Sequence, residues 1–278
     1  MKTAKARATS NIAFIKYWGN QDDALRLPSN PSISMNLAGL HTDTEVRWRD
    51  DLASDVLILN GKEVQGNPLE RVIEHLDALR QRFNIHGYAE VYSENNFPTG
   101  AGIASSASAF AALTLAAVAG AGETPSEKEL TTLARLGSGS ASRSIPAGYV
   151  EWYTGDTHEE SFAESVAPVE HWTLCDVIAI VSDEHKAVIS REGHTSAATS
   201  DLQTARVSGA VNRFNICHQA VIERDFDMLA EVVEHDSNLM HAVMMTSKPP
   251  LFYWLPTSLT LMERVRQLRS DGLDVCYT

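Results

Sequence analysis

The spacing of hydrophobic and polar positions predicts a chain of mixed strands and helices. Residues 56–64 carry β-forming side chains on both sides of Asn60-Gly61, a dipeptide typical of tight hairpin turns. Residues 89–93 and 149–153 have the composition of strands, and the apolar run 177–181 is typical of a buried strand. A β-sheet is therefore expected alongside the helices.

Three helices are indicated by capping residues and apolar faces. The run Thr124-Pro125-Ser126-Glu127 contains an N-cap, a proline for the first turn and a capping-box glutamate, so a helix is expected from here to about Leu136. Asp225 is a candidate cap for a second helix, whose apolar side chains then share one face: Phe226, Leu229, Val232, Val233, Leu239 and Met240. Thr257 is a candidate cap for a third helix that stops at Asp271-Gly272, after which 273–278 begins a strand-like run.

A loop of small residues offers candidate chemistry. Residues 98–108 read Pro-Thr-Gly-Ala-Gly-Ile-Ala-Ser-Ser-Ala-Ser and lead directly into the apolar series 110–118. Such a loop before a helix leaves backbone N–H groups free for a phosphate, and the helix dipole adds positive potential there. Two alternatives are an ordinary buried alanine-rich helix and a membrane span. The second is disfavoured because strongly apolar residues are few.

Composition narrows the class of protein. The 278 residues are 44% hydrophobic and 21% charged, which is ordinary for a globular protein and long enough for two modest domains. A formal charge of −13 argues against nucleic-acid binding, and no apolar signal segment follows the basic N-terminus. Three widely spaced cysteines fit reduced thiols. A cytoplasmic enzyme without membrane or nucleic-acid partners is expected.

Three further segments add polar groups suited to an anionic ligand. One is the run 11–19, an apolar strand-like segment that contains Lys16. The second is the loop 137–144, whose Arg143 can hold a phosphate in bidentate fashion. The third is Asp236-Ser-Asn-Leu-Met-His241. Each has a structural alternative: Lys16 can extend to solvent from a strand, Arg143 can cap a helix, and a histidine such as His241 is more often structural than catalytic.

Together these motifs resemble the mevalonate-diphosphate decarboxylases of the GHMP kinase superfamily, from about Ala4 to Thr278. The resemblance implies an α+β, two-lobed GHMP-kinase-like fold with a deep cleft between the lobes. It implies ATP and Mg²⁺ as cofactors and a homodimer. The lobe boundary is expected in the polar stretch 154–160, giving an ATP-binding lobe over 1–160 and a C-terminal lobe over 161–278. A long hairpin loop would have the same composition.

The resemblance also implies roles for individual residues. ATP contacts are expected from the loop and the helix start: Pro98, Gly100, Ala101, Gly102, Ala104, Ser105 and Ser106. Ser105 and Ser106 are expected to reach Mg²⁺ through ATP. Substrate contacts are expected from Lys16, Tyr17, Asn20, Ser138, Gly139, Ser140 and Arg143, with Ser200 as a weaker candidate. The expected catalytic set is Asn11, Lys16, Ser105 and Arg143.

The reaction that the resemblance implies is phosphorylation of the 3-hydroxyl of a phosphorylated mevalonate, followed by loss of phosphate and CO₂. Where the family has lysine after Tyr-Trp-Gly, this chain has Asn20. One cation fewer favours mevalonate 5-phosphate as substrate and isopentenyl phosphate as product. Mevalonate 5-diphosphate is the alternative, with another lysine or arginine supplying the charge.

The sequence stops at Tyr277-Thr278, before the Asp-Ala-Gly-Pro-Asn in which the family carries its essential aspartate. That aspartate is thus absent from the printed chain, and we expect a truncated chain or a missing tail. Two other classes stay open: a GHMP kinase that does not decarboxylate, and a binding protein without catalysis.

Overall fold

The computed structural model describes residues 2–98, 105–182 and 190–278. Within these ranges the strands are β1 (Lys2–Ile15), β2 (Asn20–Asp22), β3 (Leu27–Pro28), β4 (Ser32–Arg49), β5 (Val56–Leu59), β6 (Lys62–Glu63), β7 (Tyr88–Asn95), β8 (Tyr149–Trp152) and β9 (Ala163–Ala167). The α-helices are α1 (Asn67–Phe83), α2 (Ser105–Ala121), α3 (Glu127–Gly137), α4 (Ser190–Ser196), α5 (Gln203–Ser208), α6 (Ala210–Glu223), α7 (Phe226–Thr246) and α8 (Pro256–Ser270). Short 3₁₀ segments cover Gly139–Ser144 and Ala197–Thr199.

A mixed sheet organises the molecule around β4. This strand pairs antiparallel with β1 along one edge, while its other edge pairs with β8 in the first half and with β7 in the second. β5 joins β7 in parallel, and β9 extends the sheet beyond β8. β2 and β3 form a separate two-stranded ribbon that follows the end of β1. The end of β1 and this ribbon therefore lie where the sheet meets the later helices.

The alanine-rich helix α2 lies in the first hydrophobic core, between the sheet and α1 and α3. Its small side chains allow close approach, and the indole Nε1 of Trp48 donates to the carbonyl of Ala117 at 2.9 Å. Nearly every residue from Ala107 onward is buried, which explains the absence of charge in this segment. No helix in the described ranges is both long and apolar enough to cross a membrane.

A second core joins the later helices to the same sheet. Phe14 and Ile15 at the end of β1 and Ile33 on β4 pack against apolar residues of α6 and α7, among them Phe214 and Leu229. Because both cores share β1 and β4, the end of β1 is held from both sides. The fold is α+β, as the sequence predicts.

Several local predictions are confirmed. Asn60 and Gly61 adopt φ of 50° and 75° in the β5–β6 hairpin, as a tight turn of this kind requires. β7 and β8 occupy the predicted strands. Asp225 caps α7 by accepting the N–H of Met228 at 2.9 Å, and Gly272, with φ of 94°, follows the end of α8.

Other local predictions are wrong. The apolar run 177–181 forms no described strand, and Val177 is 85% exposed, because no described strand lies beside it to pair with it and cover it. Helix α3 is capped by Ser126 rather than Thr124, since the Ser126 hydroxyl accepts the N–H of Glu129. Helix α8 begins at Pro256, before Thr257.

Two further stretches have a backbone form that can be compared with the predictions for them, 154–160 and 273–278. Residues 154–160 connect β8 to β9, which pair antiparallel in one sheet, so this stretch lies within a long hairpin loop. The division at residue 160 stays a prediction. Residues 273–278 have no strand assignment; instead the Tyr277 N–H donates to Glu234 and the Thr278 hydroxyl donates to the carbonyl of Ala13.

Candidate active site

The loop after α3 brings Ser138, Gly139, Ser140 and Arg143 to the end of β1. Gly139 lies directly on the ring of Tyr17: a Cβ at this position would come within 2.6 Å of Tyr17 Cε1. The loop can therefore approach β1 only with glycine here. The 3₁₀ turn that follows Gly139 directs Arg143 back into the interior, where the residue is 3% exposed.

Arg143 is a buried cation with incomplete hydrogen bonding. Its Nη1 donates to Ser32 Oγ at 2.6 Å and its Nη2 to Asn11 Oδ1 at 3.4 Å, while Nε has no partner among the described residues. Its guanidinium lies 5.6 Å from the ring centroid of Trp152. Burial lowers the pKa of Arg143 to about 10. A buried guanidinium with an unused donor is suited to an anionic ligand.

Asn11 is buried and forms hydrogen bonds with three residues of the 139–144 turn. Its Nδ2 donates to the carbonyl of Ser140 at 3.2 Å and to Ser144 Oγ at 2.8 Å, and its Oδ1 accepts from Arg143. These bonds connect β1 to both ends of the 139–144 turn. The contacts indicate that Asn11 positions Arg143 and Ser140.

Lys16 follows β1 directly, with its Nζ donating to the carbonyl of Ala13 at 2.8 Å. Burial and, to a smaller extent, the charge of Arg143 lower its pKa, while Asp236, Asp176 and Cys276 oppose them, and the net result is a pKa of about 8. Near neutral pH the ammonium is mostly charged but poorly solvated, so an anion placed beside it gains a strong partner.

Tyr17 lies at the centre of an aromatic cluster. Its ring meets Trp152 edge to face at 4.7 Å and stacks on His194 at 4.1 Å. The hydroxyl donates to Asn20 Oδ1 at 2.5 Å, and Asn20 Nδ2 donates in turn to Asp23 at 2.8 Å. Burial raises the pKa of Tyr17 to about 12, so the hydroxyl stays protonated.

The predicted nucleotide loop is only partly described. Gly100, Ala101, Gly102 and Ala104 lie outside the described residues, and Pro98 is exposed. Ser105 and Ser106 open α2, as the sequence predicts, and Ser106 Oγ lies 3.2 Å from Ser138 Oγ. The start of α2 therefore adjoins the 138–144 loop, which places the predicted nucleotide end beside the predicted substrate end.

A metal ion at the start of α2 would have few protein ligands. In the described part of the chain no group of three or more His, Cys, Asp or Glu side chains could hold a metal ion. The hydroxyls of Ser105 and Ser106 suit Mg²⁺ as single oxygen ligands, with phosphate oxygens and water completing its shell.

The described side-chain contacts of Ser200 and His241 are with residues other than Lys16, Tyr17 and Arg143. Ser200 Oγ pairs with Thr246 at 2.6 Å and accepts the N–H of Leu202, so its described contacts are those of a turn. His241 stacks on Trp254 with ring centroids 4.0 Å apart, in line with the structural alternative for this histidine.

Sequence reasoning missed His194 at the site and two arginines that line a cavity next to Gly137. His194 accepts the N–H of Gly19 on Nδ1 at 3.1 Å, which fixes its ring proton on Nε2, and burial lowers its pKa to about 3. Arg26 and Arg71 line a cavity of about 220 Å³ that also contacts Gly137. No local motif marks these residues, because they lie on separate elements.

Known proteins match along nearly the whole chain. Residues 8–163 match the model of the diphosphomevalonate decarboxylase-like N-terminal domain, and 176–278 match that of the mevalonate 5-diphosphate decarboxylase C-terminal domain. The diphosphomevalonate decarboxylase of Candida albicans is 39% identical over 300 residues, covering 100% of this chain and 82% of that protein. That of Aspergillus fumigatus is 40% identical over 298 residues, covering 99% of this chain and 74% of the relative. The chain belongs to the diphosphomevalonate decarboxylase family.

Solved structures agree with this assignment. MDDEF in complex with MVAPP, AMPPCP and magnesium superposes with a TM-score of 0.90 at 36% identity, covering 99% of this chain and 85% of that one. Mevalonate diphosphate decarboxylase from Staphylococcus aureus gives a TM-score of 0.89 at 38% identity, covering 98% of this chain and 82% of that one. The predicted family, its GHMP-kinase-like fold and the carboxy-lyase class are confirmed.

Proposed function

We propose that this protein is an ATP-dependent decarboxylase of mevalonate 5-diphosphate that yields isopentenyl diphosphate. The observation that carries the proposal is the convergence of the partly buried Lys16 and the buried Arg143, cations from distant parts of the chain, while the loop of Arg143 contacts Ser106 at the start of α2 through Ser138. Buried cations without full partners are costly unless a ligand supplies the missing charge.

The chemistry follows from the substrate. A carboxylate one carbon away from a tertiary alcohol leaves as CO₂ only when the hydroxyl has become a good leaving group. Transfer of the terminal phosphoryl group of ATP to the 3-hydroxyl supplies that group. The C3–O bond then breaks, positive charge develops at C3, and the electrons of the bond to the carboxylate form the new double bond as CO₂ departs.

Protein groups contribute mainly by position and charge. Lys16 and Arg143 hold the anionic groups of the substrate, and the hydroxyls of Ser138 and Ser140 and the backbone N–H of Gly139 complete its contacts. Asn11 keeps Arg143 and the Ser140 backbone in place. Tyr17 stays protonated and is held by stacking, and its hydroxyl donates to Asn20.

ATP binds at the start of α2, where the helix N-terminus favours phosphate and where Ser105 and Ser106 reach Mg²⁺. The proposal includes the loop residues Pro98, Gly100, Ala101, Gly102 and Ala104 as its continuation. Ser200 stays in the proposal as a weaker candidate for a contact with a substrate phosphate; in the structure its hydroxyl pairs with Thr246 and accepts the N–H of Leu202.

The substrate predicted first from sequence, mevalonate 5-phosphate, is not supported by the relatives, which are named for the diphosphate. The alternative fits them better. The structure also offers a replacement for the cation missing at position 20. Burial has the largest effect on the pKa of Tyr17 and raises it. Among charged groups Arg26 has the largest effect, and it lowers this pKa. A guanidinium in this place can supply the charge that Asn20 lacks.

One observation favours the monophosphate as a second candidate. Asn20 accepts from the Tyr17 hydroxyl and donates to Asp23, so the amide connects this hydroxyl to a carboxylate where the family has an ammonium. A carboxylate here weakens the local field for a distal phosphate. The two substrates therefore differ in a measurable way.

The test uses protein expressed from its complete gene. ADP and CO₂ are measured together with Mg²⁺ and either mevalonate 5-diphosphate or mevalonate 5-phosphate. We expect one CO₂ per ATP and a higher kcat/KM for the diphosphate. A stable 3-phosphorylated product without CO₂ would indicate a kinase, absence of ADP would indicate a binding protein, and preference for the monophosphate would establish the second candidate. The homodimer stays a prediction, checked by light scattering after size-exclusion chromatography.

A further inference from the structure

The Asp236-Ser-Asn segment of α7 has no role in the reaction described above, yet it contacts the end of β1. Asp236 Oδ2 accepts the backbone N–H of Lys16 at 2.7 Å. Asp236 is fully buried, and its other oxygen, Oδ1, accepts from Arg213 Nε at 2.8 Å. The carboxylate thus joins the peptide of a substrate-binding lysine to a buried arginine of α6.

The backbone carbonyl of Lys16 also accepts hydrogen bonds. Arg206 Nη2 donates to the Lys16 carbonyl at 2.7 Å, and Asn30 Nδ2 donates to it at 3.0 Å. Arg206 Nη1 also reaches the Trp18 carbonyl at 3.2 Å. Arg213 in turn donates to the carbonyl of Arg206, which connects the two arginines. Both polar groups of the Lys16 backbone are therefore held by side chains from the later helices and the 28–31 turn.

We propose that Asp236 is a positioning residue for Lys16: with Arg213 and Arg206 it fixes the Lys16 backbone so that the ammonium meets the anionic group of the substrate. The inference rests on the proposed function, since it takes Lys16 as a substrate-binding residue. It gives a role to the aspartate of a motif that sequence analysis quoted without one.

A second effect of Asp236 is electrostatic. The groups that face Lys16 are Asp236 from α7, Arg143 from the 139–144 turn, Asp176, and Cys276 near the C-terminus. Asp236 opposes the effect of burial and raises the pKa of Lys16. Its removal therefore lowers the pH at which the Lys16 ammonium loses its proton.

Helix α7 supplies a matched control. Glu234 is two residues away, is also buried and also pairs with an arginine, Arg269 at 2.5 Å, but it contacts the C-terminal segment rather than Lys16. Asp236→Asn leaves the buried Arg213 without its carboxylate, and Glu234→Gln does the same to the partly exposed Arg269. They differ in whether the Lys16 backbone loses a partner.

The experiment measures the Kd for mevalonate 5-diphosphate, the Kd for ATP-Mg²⁺ and the pKa of Lys16 in ligand-free protein by NMR of ¹³C-methylated lysines. For Asp236→Asn we expect substrate Kd to rise tenfold to a hundredfold, nucleotide Kd to stay within twofold, and the Lys16 pKa to fall. Glu234→Gln should leave all three near wild type. Wild-type substrate affinity in Asp236→Asn, or equal losses in both variants, would overturn the inference.

If the Asp236→Asn protein does not fold, Arg206→Gln is tested in its place. Arg206→Gln removes the contact to the Lys16 carbonyl and keeps the pairing of Arg213 with Asp236. It should weaken substrate binding in the same way, and unchanged binding would count against the inference. Wild-type protein that binds no phosphorylated mevalonate would instead refute the proposed function. The NMR pKa then still tests the link between Asp236 and Lys16.

Discussion

Replacing Arg143 with methionine should weaken substrate binding while leaving the fold intact or more stable. The side chain is 3% exposed, and burial lowers its pKa from 12.5 to about 10. That difference corresponds to a cost of about 3 kcal/mol for keeping the charged form in the ligand-free protein. Methionine has a similar length and removes this cost.

Some of this gain is lost to unpaired neighbours. Ser32 Oγ and Asn11 Oδ1 each lose a hydrogen bond, at about 1 kcal/mol apiece, and the contact with Trp152 loses its cation. The free energy of unfolding should therefore stay the same or rise by up to about 1 kcal/mol. Substrate binding, in contrast, loses a desolvated charged partner worth about 2–4 kcal/mol, a factor of roughly 30 to 1,000 in affinity.

The assay pairs urea denaturation of the ligand-free protein with kcat/KM for the mevalonate substrate. A lower kcat/KM with undiminished stability is the signature of a residue kept for its ligand. Near-normal kcat/KM would refute the assignment of Arg143 to the substrate. A clear loss of stability in Arg143→Met would show that the arginine is structural.

The remaining predictions concern charge and protonation around the same site. Asn20→Lys should raise the diphosphate-to-monophosphate ratio of kcat/KM about tenfold to a hundredfold, and Arg26→Gln should lower it; no change in Arg26→Gln would show that Arg26 does not replace the missing cation. Because the pKa of Lys16 is about 8, substrate affinity should fall as pH rises above that value, with proton uptake on binding near pH 8 in calorimetry across buffers of different ionisation enthalpy; affinity independent of pH from 7 to 10 would contradict this role. The folded pKa values of His75 and His194 are about 3, below the usual 6.5, so the stability these groups contribute is present above pH 6.5 and is lost as pH falls towards 3. His194→Phe should make that loss shallower in acid denaturation, and an unchanged acid transition would argue against a buried neutral imidazole.

Local structure was predictable from the sequence wherever a few neighbouring residues decide it. The Asn60-Gly61 hairpin, the Asp225 cap and the strand at 149–152 all follow from short-range backbone geometry and hydrogen bonding. The prediction at 177–181 failed because an apolar run becomes a buried strand only if another strand lies beside it. That condition depends on the rest of the fold.

The candidate site also has features that the sequence indicates and features that only the tertiary structure shows. The motifs alone identified Lys16, Arg143 and the start of α2 as candidate chemistry, because residue type determines charge and because glycine-rich loops expose backbone N–H groups. Only the tertiary structure placed Arg143 against Asn11, and only it showed that one guanidinium nitrogen of Arg143 has no partner in the described part of the chain.

Residues that act through the backbone of others were beyond sequence reasoning. Asp236 is 220 positions from Lys16, and His194 is 175 positions from Gly19, so neither contact leaves a local pattern. The sequence by itself determined which side chains carry charge, where the Asn60-Gly61 turn lies and where α7 begins. Packing of α6 and α7 on β1 decided which of those charges meet, because the distance, desolvation and hydrogen-bond geometry that set their pKa values exist only in the folded chain.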